Sequence, residues 1–276
     1  MRLPAALLLL LAPGLAAAQA PAPRATPAPG PTRSIGAHGN GCIAGAVQLP
    51  AEGPGWQAVR LSRNRRWGHP AMVRWVEQFA GRAREAGFPD LWIGDLSQPR
   101  GGRMTSGHAS HQTGLDADIW LDLRPKPLSA APAREAIDVP SLVLPGQGPA
   151  GGGLDPARWS ERHAALIALA ARQPGVDRIF VNPSIKQGLC AAHRGEAWLR
   201  LVRPWYGHDS HMHARLRCPA GESECQGQAP VPAGDGCDAS LDWWFSEEAK
   251  HPPPRTGPPP RPPAPPAACQ VIFRAP

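Results

Sequence analysis

Two short segments with alternating residue types constrain the fold of this chain more than any other feature. Residues 106–121, SGHASHQTGLDADIWL, contain a turn and then a strand-like alternation, with Leu115, Ala117, Ile119 and Leu121 on one face and Asp116, Asp118 and Trp120 on the other. Residues 207–218, GHDSHMHARLRC, alternate in the same way, so that His211 and His213 share a polar face. Together the segments contain five of the ten histidines, which neighbouring strands would bring to one place.

The residues on these polar faces suit a metal ion. His111 lies in the turn before the first strand and can fold back toward Asp118, while His211 and His213 approach from the second strand. Nitrogen and oxygen donors suit zinc, which in catalytic sites takes three protein ligands and keeps a fourth position for water. Each part also has a simpler explanation, because a His-x-His pair is common by chance and Asp116 and Asp118 could be solvated strand positions. The crowding of these residues in two segments favours the metal site.

Four stretches carry a resemblance to a known family. SGHASHQTGLDADIW, RIFVNPSIKQGLC, RPWYGHDSHMHARLRCP and the late GDGC resemble the penicillin-insensitive murein endopeptidases of the Gram-negative periplasm, within the metallopeptidase group that includes lysostaphin-type and D-alanyl-D-alanine-cleaving enzymes. The similarity runs from about residue 34 to residue 245. It implies one zinc ion held by His111, Asp118 and His213, with His211 and His208 as the catalytic residues beside it.

The resemblance also implies a second metal position, to which His108 corresponds. In the family this position is completed by an Asp and a His about three residues apart in the segment after the first motif. Residues 134–153 contain no such pair, so the sequence leaves a second zinc ion open. His108 could instead hydrogen-bond the substrate or orient a metal ligand.

The beginning of the chain has the pattern of a secretory leader. Residues 1–20 open with Arg2, continue through a leucine run and end in Ala-Gln-Ala, which predicts a signal peptide and a periplasmic protein. We expect a flexible Pro/Ala arm at 21–33, a zinc metallopeptidase domain at 34–250 and a Pro-rich tail at 251–276. No later stretch approaches the ~20 apolar residues of a transmembrane segment.

Six cysteines form an even set without a Cys-x-x-Cys pair, which in an exported chain predicts three disulfides. Spacing alone leaves their connectivity open. The resemblance implies the pairs Cys42–Cys269, Cys190–Cys237 and Cys218–Cys225, so that Cys269 would tether the tail. The net charge of +7 allows nucleic acid as a partner, but no stacking motif or recognition helix is visible. Attraction to anionic envelope polymers suits an exported chain better, and a basic face that is merely solvated suits it better still.

The remaining patterns predict an α+β fold, a single disulfide-stapled domain with a central antiparallel sheet and flanking helices. We expect a helix from Pro70 to about Gly87 and a second helix with Asp155 as its N-cap and a structural His163. Further expected elements are strands at 91–96, 178–181 and 198–202, a short helix at 183–190, and an insertion at 124–153 on the rim of the site. Residues 100–103 form either a mobile hairpin tip or a substrate-facing loop. Asp95 could support the site, although an Asp at the end of a strand is more often simply solvated.

By resemblance, the expected activity is zinc-dependent hydrolysis of the D-alanyl-meso-diaminopimelyl cross-links between peptidoglycan stem peptides. No motif of a serine hydrolase, a penicillin-binding enzyme or a thermolysin-type protease appears, so there is no acyl-serine for a β-lactam to trap. A zinc D-alanyl carboxypeptidase, with Arg203 or Arg215 for the terminal carboxylate, and a non-catalytic peptidoglycan-binding protein are the alternatives. The sequence leaves open which of His211 and His208 is the general base and which stabilises the oxyanion, and also the oligomeric state, a dimer included.

Overall fold

The structure, a computed structural model, describes residues 24–105, 107–254, 256–258 and 261–276. Within these residues the strands are β1 Arg33–Ala37, β2 Asn40–Ala44, β3 Val47–Gln48, β4 Glu52–Gly53, β5 Trp56–Ala58, β6 Trp67–Gly68, β7 Leu91–Ile93, β8 Asp116–Trp120, β9 Val176–Val181, β10 Val202–Pro204, β11 His211–Leu216 and β12 Cys225–Gln226. The α-helices are α1 Pro70–Glu85, α2 Glu161–Ala171, α3 Pro183–His193, α4 Ala239–Asp242, α5 Glu247–Lys250 and α6 Ala267–Arg274. Short 3₁₀ helices cover Leu61–Arg63, Ala131–Arg134, Ala197–Leu201 and Trp243–Phe245.

A seven-stranded sheet with the order β10-β9-β11-β8-β7-β5-β4 carries the site. The two segments with alternating residues form β8 and β11, which are antiparallel neighbours in the middle of this sheet. The α+β class is confirmed, and the pairing around β8 and β11 is antiparallel as expected. The pairs β9–β10 and β5–β7 are parallel, so the sheet is mixed toward its edges. Two smaller sheets, β12-β1-β2 and β3-β6, lie beside it.

Helix α1 follows its sequence pattern closely. Pro70 is its first residue, the His69 side chain caps it by accepting from the Ala71 amide at 3.0 Å, and it ends two residues before Gly87. Its buried residues recur with helical spacing: Met72, Val73, Trp75, Val76, Phe79, Ala80 and Ala83. This apolar stripe belongs to the same core as the inward-facing residues of β8 and β11, so α1 covers one face of the central sheet.

The start predicted for the second helix is wrong. Helix α2 begins at Glu161, where Ser160 and His163 form a reciprocal capping box. Asp155 instead closes a separate turn, in which its carboxylate accepts from the Ala157 amide at 2.9 Å. Both sites offer a short polar side chain followed by helix formers, and only the second continues into an apolar stripe. His163 is structural as expected, because it is buried and its Nδ1 accepts from the Ser160 amide.

The strand predicted at 198–202 is also wrong for most of its length. Residues Ala197–Leu201 form a 3₁₀ helix, and only Val202–Pro204 pair with β9. The Leu199 amide donates to the Glu196 carbonyl at 3.1 Å, and both Trp198 and Leu199 are buried. Consecutive buried side chains fit a tight turn, whereas a half-buried strand would alternate them.

The loop at residues 100–103 is anchored at Arg100, whereas Arg103 is exposed. Arg100 is 3% exposed, and its guanidinium donates to carbonyls at the C-terminus, including those of Ile272, Ala275 and Pro276. The disulfide Cys42–Cys269 fixes α6 against β2 beside this loop. The structure also contains Cys190–Cys237 and Cys218–Cys225, the pairs that the family resemblance implies.

The predicted signal peptide at 1–20 lies outside the described residues, and the predicted domain boundaries stay predictions. Among the helices that are described, none combines the length and the apolar character needed to cross a membrane.

Candidate metal centre

The register of β8 and β11 brings the predicted metal ligands together. His213 lies opposite Asp118, and its Nδ1 is 3.7 Å from Asp118 Oδ1. His111 reaches the same oxygen from the turn before β8, with its Nε2 at 3.3 Å. The backbone of His111 has φ 65°, a left-handed conformation that few non-glycine residues adopt and that folds the ring back over the strand. The turn before β8 and the strand β11 thus converge on one carboxylate oxygen of β8.

Hydrogen bonds on the far side of each ring determine which nitrogen faces the centre. His111 Nδ1 lies 2.6 Å from the Leu96 carbonyl, which can only accept, so this nitrogen carries the proton. His213 Nε2 lies 2.8 Å from Asp116 Oδ1 and donates to it. The remaining nitrogens, His111 Nε2 and His213 Nδ1, therefore face Asp118, and each offers a lone pair whenever its ring is neutral. Fixing the tautomer through an outer hydrogen bond is typical of metal-ligating histidines.

Among the candidate ligands His111, Asp118 and His213, two buried atoms have no hydrogen-bond partner in the described part of the chain. They are His111 Nε2 and Asp118 Oδ1. Leaving a buried acceptor unsatisfied costs about 1–3 kcal/mol, and more for a charged group. A divalent cation between these atoms would satisfy both, so the donor set fits zinc.

His108 reaches the same centre rather than a separate one. Its Nε2 lies 3.6 Å from Asp118 Oδ2, and the possible ligand atoms of His108, His111 and Asp118 lie within 4.8 Å of one another. The same nitrogen lies 3.0 Å from Asp95, which is 4% exposed and also binds Arg63 and Arg65. Asp95 thus supports the site through His108, as the sequence allowed.

Burial and neighbouring charges shift the pKa values of the candidate ligands. Burial opposes ionisation of Asp118, but the charge of His111 holds the pKa of its carboxyl well below the usual range. Burial also acts against protonation of His111, yet Asp118 raises the pKa of this ring to about 9 in the metal-free protein. Burial lowers the pKa of His213 to about 3, so its ring is neutral and available as a ligand at neutral pH.

Asp116 is the functional residue whose role the sequence reasoning missed. It is fully buried, so the interpretation as a solvated strand position is wrong for it, and Asp118 is only 4% exposed. Oδ1 of Asp116 accepts from His213 Nε2 at 2.8 Å and from Arg215 Nε at 2.7 Å. Oδ2 accepts from the His111 amide at 3.0 Å. One carboxylate therefore positions two of the candidate ligands, and its place two residues before Asp118 on the same face was the available signal.

His211 and His208 lie beside the candidate ligands. His211 Nε2 is 3.8 Å from Asp118 Oδ1, and the rings of His208 and His211 have their centroids 4.8 Å apart. His208 has φ 57°, and its Nδ1 donates to the Tyr206 carbonyl at 2.7 Å, which leaves Nε2 with the lone pair. Burial lowers the pKa of His208 to about 4 and also lowers the pKa of His211. Both rings are therefore neutral at neutral pH.

The cations considered for a terminal carboxylate are engaged elsewhere. Arg215 is 5% exposed and binds Asp116 and Gln228. Arg203 lies on β10, which β9 separates from β11, and its guanidinium packs close to Gly236. Trp205 and Tyr206, the aromatic residues before the second motif, are 49% and 54% exposed.

Taken together, the mixed sheet and the convergent histidine and aspartate side chains define a protein with a buried candidate metal centre of nitrogen and oxygen donors. Residues 34–274 match the family model of the penicillin-insensitive murein endopeptidases. The chain is 48% identical over 229 residues to the penicillin-insensitive murein endopeptidase of Haemophilus influenzae, covering 83% of this chain and 76% of that protein. It is 45% identical over 254 residues to that of Klebsiella pneumoniae, covering 91% and 89%. The chain belongs to the penicillin-insensitive murein endopeptidase family.

Proposed function

We propose that this protein is a periplasmic, zinc-dependent DD-endopeptidase that hydrolyses D-alanyl-meso-diaminopimelyl cross-links in peptidoglycan and is insensitive to β-lactams. The relatives are named as murein endopeptidases, which supports the substrate class. The observation that carries the proposal is the pair of buried, unsatisfied atoms His111 Nε2 and Asp118 Oδ1, which face His213 Nδ1. A buried donor set of this kind is costly without a cation and suits a hydrolytic metal ion.

His111, Asp118 and His213 are the proposed ligands of one zinc ion. A zinc ion held there would supply a Lewis acid for a substrate carbonyl and for a water molecule. The chain itself holds the ligands in place, because Leu96 orients His111 and Asp116 orients His213. His108 lies against Asp118 and Asp95, and we propose that it supports this single zinc ion or takes part in binding a second one.

We assign the proton-accepting role to His208 and the oxyanion-stabilising role to His211. The Nδ1 proton of His208 is committed to the Tyr206 carbonyl, so the neutral ring offers only a lone pair at Nε2 and can accept a proton from water. The nitrogen of His211 that approaches the centre is Nε2, 3.8 Å from Asp118, and in its Nε2-protonated tautomer it donates to a developing negative charge. The proton held by His208 can then pass to the leaving amine.

Insensitivity to β-lactams follows from this chemistry. Amide hydrolysis at such a site needs no serine nucleophile, so no acyl-serine forms for a β-lactam to trap. The signal-peptide pattern of residues 1–20 supports the periplasmic location, where the substrate lies.

The test is digestion of cross-linked muropeptides by the purified mature protein, with and without a chelator, followed by mass spectrometry. We expect chelator-sensitive conversion of dimers to monomers with intact stem peptides, restored by zinc. Loss of only a terminal D-alanine would identify the carboxypeptidase instead, and unchanged dimers with retained binding to peptidoglycan would identify a non-catalytic binding protein. Either result would refute the endopeptidase proposal.

A further inference from the structure

A cluster of arginines lies at the edge of the candidate metal centre, and one of them differs from the rest. Arg63 Nη1 and Arg65 Nη1 pair with Asp95 Oδ2 at 3.2 and 3.0 Å. Arg66 donates to the Leu49 carbonyl. The guanidinium of Arg60 makes neither a hydrogen bond nor an ion pair with any residue that the structure describes, although the side chain is half-buried.

Arg60 is held next to the proposed catalytic residues. Its guanidinium carbon lies 4.8 Å from the centroid of the Trp120 ring. Trp120 pairs with His211 across β8 and β11, and their rings have centroids 5.2 Å apart. Burial lowers the pKa of Arg60, whereas Asp95 and Asp118 are near enough to raise it. The Trp120 ring therefore lies between the Arg60 guanidinium and His211, and contacts both.

The backbone of Arg60 adopts an unusual conformation. Arg60 has φ 55°, and its amide donates to the Arg134 carbonyl at 2.9 Å. A non-glycine residue in the left-handed region is strained, and such strain is retained where the surrounding structure enforces it, often at functional sites. The cation–π contact with Trp120 holds the guanidinium beside the site, where its planar fork of donors suits a planar anion.

We propose that Arg60 binds a free carboxylate on the substrate residue that contributes the nitrogen of the scissile amide. This inference rests on the proposed function. In a D-alanyl-meso-diaminopimelyl cross-link, the carbon attached to that nitrogen also carries a free carboxylate. The α-carbon of a C-terminal D-alanine carries its carboxylate in the same position relative to the scissile amide. A bidentate guanidinium–carboxylate pair at this position orients the amide and makes the free carboxylate a determinant of specificity.

The test compares two synthetic cross-linked peptides that differ only in this group, one with the α-carboxylate and one with the α-carboxamide. We expect the wild-type protein to show a kcat/KM about tenfold to hundredfold higher for the carboxylate. Arg60→Ala should lower kcat/KM for the carboxylate peptide by a similar factor and leave the carboxamide peptide nearly unchanged. Arg60→Lys, which keeps the charge but loses the planar fork, should retain part of the preference.

Arg74→Ala is the matched control, since Arg74 is an exposed arginine on α1 and its removal changes the net charge equally. Its preference for the carboxylate should equal that of the wild type. The inference is overturned if the wild type cleaves both peptides equally well, or if Arg60→Ala lowers both rates by the same factor, which would indicate a structural role.

A binding measurement separates this inference from the proposed function. Calorimetry with chelator-treated protein measures the affinity for both peptides without turnover. We expect the wild type to bind the carboxylate peptide more tightly than the carboxamide peptide. Arg60→Ala should bind the two peptides equally tightly. If the loaded wild type cleaves neither peptide, the proposed function fails, while this binding preference still supports or overturns the role of Arg60.

Discussion

Replacement of Asp116 with Asn separates the support of the metal ligands from the stability of the fold. Asn is nearly isosteric with Asp, so its oxygen can still accept from His213 or Arg215 on the Oδ1 side. On the other side, its amide group would place a donor against the His111 amide, which now donates to Oδ2 at 3.0 Å. The change also leaves the guanidinium of Arg215, 5% exposed, without its counter-charge.

The magnitudes follow from these contacts. Breaking a buried ion pair by removing one partner costs about 3–5 kcal/mol, so we expect the free energy of unfolding to fall by that amount. Loss of the group that orients a metal ligand lowers metal affinity by about tenfold to hundredfold. Urea denaturation of the zinc-free protein measures the first effect. Competition with a chromophoric chelator measures the second.

A double variant distinguishes the two effects. Asp116→Asn combined with Arg215→Met removes the unpaired cation, so it should recover about 2 kcal/mol or more of the lost stability while zinc affinity stays low. Asp242→Asn, an exposed carboxylate on α4, is the control and should change neither quantity. If zinc affinity recovers together with stability, or never falls, then Asp116 does not position the ligands and the reasoning is refuted.

Four further changes test other parts of the structure. His213→Ala should abolish zinc binding and hydrolysis while the disulfide-bonded fold persists, in contrast to the exposed control His251→Ala; full activity of the metal-stripped variant would contradict the mechanism. His108→Ala should impair turnover with unchanged zinc content by mass spectrometry if one metal is present, whereas loss of half the zinc would reveal a second site. Arg100→Ala should cost about 3 kcal/mol and expose α6 to proteases, because charged hydrogen bonds to the C-terminal carbonyls are lost. Burial lowers the pKa of Lys186 to about 8, so between pH 8 and 10.5 the unfolded chain binds more protons and stability should rise with pH; in Lys186→Met this rise should be smaller by urea denaturation.

The alternation of residue types predicted the two strands and their faces, whereas their pairing was an assumption that the structure confirms. A period of two assigns each side chain of β8 and β11 to a face, and one buried face then determines the register. The alternation placed Asp118, His211 and His213 on polar faces, and the family resemblance then singled out His111, Asp118 and His213, which the structure brings together. The alternation could not show how deeply Asp116 is buried, because burial depends on what packs over the polar face.

The partners that cover this face come from distant parts of the chain. The Leu96 carbonyl, which orients His111, follows β7, and His38, 3.4 Å from Asp116, lies between β1 and β2. A pattern within one segment carries no information about such contacts. The same limit explains why the anchoring of Arg100 was not predicted. Its partners are the carbonyl groups of the last residues of the chain, and no local pattern identifies a carbonyl group as a partner.

The pairing of β8 with β11 explains why one short alternation supplies both the ligands and their support. Asp118 lies opposite His213, and Asp116 lies opposite Arg215, all on the same face of the sheet. The pair Asp118–His213 belongs to the candidate centre. The pair Asp116–Arg215 places a cation against the carboxylate that binds His213. A slip of one residue would exchange this face for the apolar one and lose ligands and support together. Strong selection of the register by the buried apolar face therefore also keeps the candidate metal ligands in position.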